Sequence, residues 1–282
     1  MFWSQRRPTS QKYKESMRKK RNAFFALTIL ILILLSTFIF WVGYSDTFRI
    51  NTIALKGITT IQDTVLRNDI NEILTKKTLW VLPRNNTLFF PRYKLSENLL
   101  KSFTEIKNLK IDTPDQNTLL FTIEERKSVG VWCHENATEA FEECFLLDEF
   151  GYIFTKAPTF SGNLFFKYYG GMASSTPIDS LYLPEETFRE RVFFITSLET
   201  LGLNPVSYKW GQDGDSTITL KAEGSSGVEG VLLFNNEDDL ATIFEHISLA
   251  LTHEDFKERG IRTIEVEYID LRSENKIFYK LE

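Results

Sequence analysis

Cysteine, histidine and methionine are nearly missing from this 282-residue chain, which holds two, three and three of them. Cys133 and Cys144, with His134 beside them, are too few ligands for a structural zinc site. His246 and His253 fall on nearly one face of an expected helix. No Glu sits between them at metalloprotease spacing, so no metal is expected there. The G-x-S-x-G, P-loop, H-E-x-x-H and dinucleotide glycine motifs are all absent. Gly224-Ser225-Ser226-Gly227 lies between strands with no helix after it, which makes it a turn and not a phosphate cradle. Internal repeats, low-complexity tracts and flexible linkers are also lacking. Carboxylates are plentiful enough that some pair must lie close together, yet nothing singles out a pair for glycoside hydrolysis. The sequence therefore singles out no catalytic, cofactor-binding or metal residue, and no cofactor is expected.

Charge, glycine and proline are absent together from one stretch, Ala23 to Val42, AFFALTILILILLSTFIFWV. A helix of that length spans about 30 Å, the hydrocarbon thickness of a bilayer. Arg6, Arg7, Lys12, Lys14, Arg18, Lys19, Lys20 and Arg21 precede it, against Glu15 alone; Asp46 and Arg49 follow it. Short basic flanks stay on the cytoplasmic side. Residues 1–22 are thus expected to be a basic cytoplasmic tail, 23–43 a transmembrane helix in the lipid bilayer, and 44–282 extracytoplasmic. Trp41 and Tyr44 stand where an interfacial aromatic belt belongs. Gly43 and Ser45 are spaced like a signal-peptidase site, but the n-region is long and the apolar run exceeds an ordinary h-region, which favours a retained anchor.

The rest of the chain, residues 23–282, holds 25 basic and 37 acidic residues, a formal charge of −12. Such a field disfavours nucleic acid and anionic lipid as main partners. The basic tail reads as a topology determinant with some attraction to anionic headgroups. About 240 exported residues suffice for one large or two moderate domains. Cys133 and Cys144 bracket HENATEAFEE between the apolar runs Val131–Trp132 and Phe145–Leu147. If those runs pair as a hairpin the thiols can face each other and bridge; the spacing alone leaves both states open.

Residues 48–126 read as strand, helix, helix, strand, strand. Phe48–Lys56 forms a strand ending at Gly57. Thr60-Ile61-Gln62-Asp63 opens a helix whose stripe is Ile61, Val65, Leu66, Ile70, Ile73 and Leu74. Pro83 and Pro91 break the apolar connection that follows, and a second helix over Ser96–Phe103 buries Leu99, Leu100 and Phe103. Leu109–Asp112, a turn at Pro114-Asp115-Gln116-Asn117, and a strand with Leu119, Phe121 and Ile123 on one face complete the unit. Residues 127–282 are strand-rich with two helices. One opens at Pro184, with a stripe of Phe188, Val192, Ile195, Leu198 and Leu201. The other runs from Asn236 to about Glu258, with Leu240, Ile243, Phe244, Ile247 and Leu251 inward. Ile264–Leu271 and Lys276–Leu281 are the closing strands. The fold class expected is α+β: one N-terminal membrane helix, a small β-α-α-β-β unit, then a mixed α/β domain with an antiparallel-rich sheet.

Four stretches carry a family resemblance. Ile50-Asn51-Thr52-Ile53-Ala54-Leu55-Lys56-Gly57 is like an "I-x-x-I-x-V-x-G" strand just after a membrane span. Thr118-Leu119-Leu120-Phe121-Thr122-Ile123-Glu124-Glu125-Arg126-Lys127-Ser128-Val129-Gly130-Val131-Trp132 is similar to "T-L-x-I-x-V-x-E-R-x-P-V-A-x-W". Leu147-Asp148-x-x-Gly151-x-Ile153-Phe154 fits "L-x-D-x-x-G-x-V-F". Tyr268-Ile269-Asp270-Leu271-Arg272 with Asn275-Lys276-Ile277 is like "x-x-D-L-R-x-x-N-x-V". In this order, behind one membrane span, they resemble the FtsQ/DivIB family of bacterial cell-division proteins across essentially the whole chain. Ser128 and Gly130 replace the commoner Pro and Ala, the Trp80–Pro91 connection is embellished, and the Cys133–Cys144 loop is longer than the family's. Ser273 stands where an aromatic is frequent.

The resemblance implies a POTRA-type domain over 44–126 and a β domain over 127–282. It implies a divisome scaffold of the inner (plasma) membrane and not an enzyme, concentrated at the septum, that binds bitopic coiled-coil proteins of the FtsB/DivIC and FtsL type. The physical route expected is β-augmentation, a partner segment adding to an exposed sheet edge. Lys276-Ile277-Phe278-Tyr279-Lys280-Leu281 is the candidate edge, since no later strand of this sequence covers it and its lysines discourage unwanted pairing. The partner-binding residues expected are Arg272, Ser273, Lys276, Ile277, Phe278, Tyr279 and Lys280. Asp270 and Arg272 share a strand face and could pair with a partner or with each other. Glu124, Glu125 and Arg126 at the junction are expected to be structural. A POTRA-type receptor for exported polypeptides, and a membrane-anchored cell-wall hydrolase, are the alternative functions.

Overall fold

The computed structural model describes residues 10–78, 82–134, 143–159, 164–171, 176–221, 229–252, 266–273 and 276–281. It is a mixed α/β structure with five α-helices among the described residues. The first, α1 (Ser10–Tyr44), contains a span, Tyr13–Tyr44, long and apolar enough to cross a membrane. Its apolar side chains are exposed along the whole run from Phe24 to Trp41. An all-round apolar surface of that kind has no place in water and suits lipid. The chain divides into two compact units: residues 1–102 with 108–124, and 103–107 with 125–282.

Beyond α1, the first unit is built on β1 (Thr52–Lys56), α2 (Asp63–Thr75), a short pair β2 (Lys77–Thr78) and β3 (Leu82–Pro83), α3 (Arg92–Ser102), β4 (Ile106–Asp112) and β5 (Thr118–Glu125). The three longer strands form a sheet in the order β1-β5-β4, with β1 parallel to β5. In β5 the alternation expected from the sequence holds: Leu119, Phe121 and Ile123 are buried and their neighbours are not. Gly57 closes β1 at φ 88°, and a Cβ there would lie 2.1 Å from the Ile123 carbonyl oxygen. Only glycine meets both requirements, which explains the glycine ending that strand motif.

Both helices depart from their expected bounds. α2 begins after Gln62, which makes no side-chain cap, and it buries Leu66, Ile70 and Leu74 while Val65 stays exposed. α3 starts four residues earlier than its apolar spacing suggests, at Arg92, because Pro91 serves its first turn: the Leu95 N–H donates to the Pro91 carbonyl at 2.9 Å. The early start brings Leu95 inward with Leu99 and turns Leu100 partly outward.

The second unit carries β6 (Gly130–Cys133), β7 (Cys144–Leu147), β8 (Tyr152–Lys156), β9 (Lys167–Gly170), β10 (Ser180–Leu181), α4 (Glu185–Thr200), β11 (Pro205–Trp210), β12 (Asp215–Lys221), β13 (Glu229–Asn235), α5 (Leu240–Leu251), β14 (Val266–Ser273) and β15 (Lys276–Leu281). All ten strands join one sheet in the order β10-β8-β7-β6-β9-β11-β12-β13-β14-β15. Its pairings are antiparallel except β6 with β9, β9 with β11 and β13 with β14. Phe188, Phe194, Ile195 and Leu198 of α4 and Ile243 and Ile247 of α5 pack against one face, where Trp132, Tyr208, Ile218, Phe234 and Ile269 form the core. Alternate residues of β6, Val131 and Cys133, enter a smaller apolar cluster with Cys144. Both faces of β6 are therefore covered, and all four of its residues are buried.

Cys133 and Cys144 stand opposite each other in the β6–β7 register and are joined as a disulfide. A bridge closing a loop of this size stabilises by about 3 kcal/mol, mainly by restricting the unfolded chain. Replacing both cysteines by serine should lower the denaturation midpoint accordingly. Reductant should then shift the parent protein and leave the variant unmoved.

A buried polar network fixes the turn from β13 into α5. The Asn236 side chain donates to the Gly211 carbonyl at 2.9 Å and accepts from Ser216 Oγ at 2.6 Å, and Ser216 Oγ lies 2.8 Å from Tyr208 Oη. Arg191 of α4 donates to the Asn236 carbonyl and lies over the rings of Trp210 and Phe234. The apolar stripe read for this helix had no place for a charged residue, yet Arg191 is buried. Asp239 caps α5 by accepting from the Ala241 and Thr242 N–H groups, so the helix starts at Leu240 and not at Asn236.

Candidate functional site

β15 stands last in the order of the ten-stranded sheet and, among the described residues, has β14 as its one strand neighbour. Its bounds match those read from the sequence. An edge strand turns alternate backbone N–H and C=O groups away from its neighbour, where another strand can take them up. The opposite end of the sheet is blunter. There β10 has two residues and follows Asp179, held at φ 68°.

Side chains of β15 alternate as a half-buried strand requires. Ile277 and Tyr279 pack against the main core, while Lys276, Phe278 and Lys280 are exposed. Phe278, 50% exposed, is a large apolar side chain turned out along this edge. Lys280 is held by Glu267 of β14 at 2.5 Å. Ser273 opposes Lys276 at the turn between the strands, and Tyr279 opposes Ile269.

Asp270 and Arg272 pair with each other. Arg272 Nε and Nη2 grip the two Asp270 carboxylate oxygens at 2.9 and 2.6 Å, and Arg272 Nη1 reaches across β13 to Asp215 of β12 at 2.9 Å. The Arg272 N–H also donates to Asp270, at 3.1 Å. Leu271 between them is buried. Strand alternation thus accounts for the Asp-Leu-Arg triplet: the leucine enters the core while the flanking pair ties β14 to β12, across β13, on the other face. Each of the three Arg272 guanidinium nitrogens thus donates once inside the molecule, to Asp270 or Asp215.

This pairing sets a pH response. The Arg272 hydrogen bonds hold the Asp270 carboxyl below its ordinary range, and Asp270 and Asp215 push the guanidinium further above its own. A carboxyl depressed in the folded state contributes stability above its unfolded pKa of about 4, and that contribution is lost as pH falls through the lower folded value. Acid titration of the parent should therefore show a loss below about pH 4 that Asp270→Asn lacks. Unfolding midpoints of the two proteins measured from pH 7 to pH 2 would check it.

Glu124 and Arg126 take separate partners. Glu124 accepts from Asn108 Nδ2 at 2.7 Å, whereas Arg126 joins Asp148 in an ion pair of 2.5 Å. Asp148 also accepts from the N–H groups of Phe150 and Tyr152, shaping the β7–β8 turn, and Arg126 stacks 3.9 Å over the Tyr152 ring. Arg126, Asp148 and Gly151, drawn from two of the sequence motifs, thus meet at one structural node.

A cavity of about 730 Å³ lies beside α4 and α5, lined among others by Arg191, Phe193, Trp210, Asp238 and Phe244. Asp238 and Asp239 on its wall accept from Asn235 and from the first turn of α5, which gives both carboxylates structural roles. Among the described residues no group of three or more His, Cys, Asp or Glu is placed to hold a metal ion. His246 lies within α5; His253 lies outside the described residues, as do Gly224–Gly227 and Asn275. Neither the cavity nor Arg191 was signalled by sequence, because a helical stripe read from apolar residues skips a buried cation. Protein-family models give no match to this chain, and neither do curated proteins.

Proposed function

We propose that this protein is a bitopic scaffold of the bacterial divisome, with a POTRA-type domain over residues 44–126 and a β domain over 127–282. In this reading residues 1–22 lie in the cytoplasm, α1 crosses the plasma membrane, and both domains lie outside it at the septum. There β15 takes up a strand from a bitopic coiled-coil partner of the FtsB/DivIC or FtsL type by β-augmentation.

The observation that carries the reading is the place of β15 at the end of a ten-stranded sheet with Phe278 turned outward. A long edge of this kind is a liability unless it is covered or used. The motif order resembling the FtsQ/DivIB family supports the same conclusion, as does α1, the one helix among the described residues long and apolar enough to cross a membrane.

A fluorescent fusion of the full chain, followed through the cell cycle of a dividing bacterium, tests it. Concentration in a band at the constriction site is the expected result. An even membrane signal throughout the cycle would remove division as the explanation. Labelling of introduced thiols by a membrane-impermeant reagent on whole cells would read the orientation directly, with Phe193→Cys expected to react and Tyr13→Cys expected not to.

A further inference from the structure

We infer that the segment from Arg84 to Lys94 is a second membrane contact, seated on the leaflet at the Tyr44 end of α1 with Leu88 and Phe89 among the lipid headgroups and upper acyl chains. The inference rests on α1 spanning the bilayer. It begins from how the loop is tied to the helix end. Asn86, buried, donates through Nδ2 to the carbonyls of Val42 and Gly43 at 3.0 and 3.3 Å in the last turn of α1, where the Val42 carbonyl also accepts from the Ser45 N–H at 3.3 Å. Asn86 Oδ1 accepts from the Leu88 N–H at 2.9 Å. The Ile50 N–H donates to the Asn85 carbonyl and the Thr87 N–H to the Phe48 carbonyl, at 2.8 and 2.9 Å. The loop is thereby held at the level where the apolar run of α1 ends.

What it presents there is apolar. A groove of about 630 Å³ is lined by Phe38, Trp41, Val42, Phe48, Leu88 and Phe89. Phe38 lies four residues inside Val42, about 6 Å along the helix axis, so the groove opens at the depth where a spanning helix passes from acyl chains to headgroups. Leu88 is 58% exposed and Tyr93 is 81% exposed. Water would be a poor medium for that wall, whereas a lipid chain beside α1 continues the surface the helix already offers.

Local charge completes the case. The exported chain is acidic, yet from Lys76 to Ser96 the sequence has five basic residues, Lys76, Lys77, Arg84, Arg92 and Lys94, and no acidic one. Arg92 and Lys94 are exposed around Tyr93. Basic residues interleaved with aromatics are the composition of a phospholipid interface, where phosphates meet the cations and rings lie at headgroup depth.

The test uses the full chain in vesicles of phosphatidylcholine and phosphatidylglycerol. Cys133 and Cys144 are joined and no described cysteine is free, so a single introduced thiol takes an environment-sensitive dye. Leu88→Cys should give blue-shifted emission that is lost to a lipid spin-labelled near its headgroup and is protected from aqueous iodide. Ile31→Cys, in the middle of α1, should be quenched by a lipid labelled deep in its chain. Iodide quenching at position 88 with lipid quenching at position 31 would overturn the inference and leave the membrane helix standing. Loss of lipid quenching at position 31 would overturn both. A position-88 dye protected from iodide and lipid alike would mean a protein covers the loop, which also overturns it. An unchanged unfolding midpoint of each labelled protein guards against a folding artefact.

Discussion

Phe278→Pro and Phe278→Glu should each weaken binding of the proposed coiled-coil partner by at least about tenfold, a loss of about 1.4 kcal/mol, while the protein stays folded. Proline deletes a backbone donor from the edge strand and locks its φ, so an incoming strand cannot complete its ladder. Glutamate keeps the backbone but places a charge where the exposed Phe278 ring would be covered on docking. The two variants separate main-chain from side-chain recognition. Ile277 and Tyr279, which face the core, are not suitable probes, since their loss would unsettle the sheet itself. Affinity measured with full-length partner, beside an unfolding midpoint for each variant, reads the result. Unchanged binding by a folded Phe278→Pro protein would refute the edge-strand reading and direct attention away from β15.

The largest expected effect on stability lies at Asp148. Its side chain is 3% exposed and compensates the Arg126 guanidinium, itself 17% exposed, while also accepting from two backbone N–H groups of the β7–β8 turn. Asp148→Ala strands a mostly buried cation and two donors. Removing one member of such a pair costs about 3–5 kcal/mol, because the remaining charge loses its compensation without regaining water. For a unit of this size that corresponds to a fall in melting temperature on the order of 10 °C. Asp148→Asn should lose less, since the amide oxygen can still accept from the turn. Thermal unfolding of the three proteins checks the order, and a midpoint for Asp148→Ala within a degree or two of the parent would show that the pair is not needed.

Much of the local structure was written in residue spacing. The alternation in β5 and the limits of β15 follow from period-two patterns, which depend on near neighbours alone. The long apolar helix α1 is legible for the same reason: twenty residues without charge, glycine or proline have few alternatives in any tertiary setting. The disulfide was half legible. Sequence set each cysteine at the end of an apolar run and left the pairing of the runs open; the β6–β7 register brings the two opposite each other.

What the sequence by itself determined about this protein, then, is the kind and order of its elements and the surfaces they must bury, since helix and strand periods and the cost of exposing apolar groups act within a few residues. The tertiary structure alone decided the order of the strands. β9 comes to lie between β6 and β11, parallel to both, a pairing that depends on which loops can close and carries no local signature. It also decided the fate of the polar residues. Arg191 is buried in α4, Arg272 reaches across β13 to Asp215, and Asn86 gives its Nδ2 to the end of α1 while its Oδ1 stays in its own turn. Each of these depends on a partner distant in sequence, and the requirement that buried polar groups be satisfied can be evaluated only once the chain has brought those partners together.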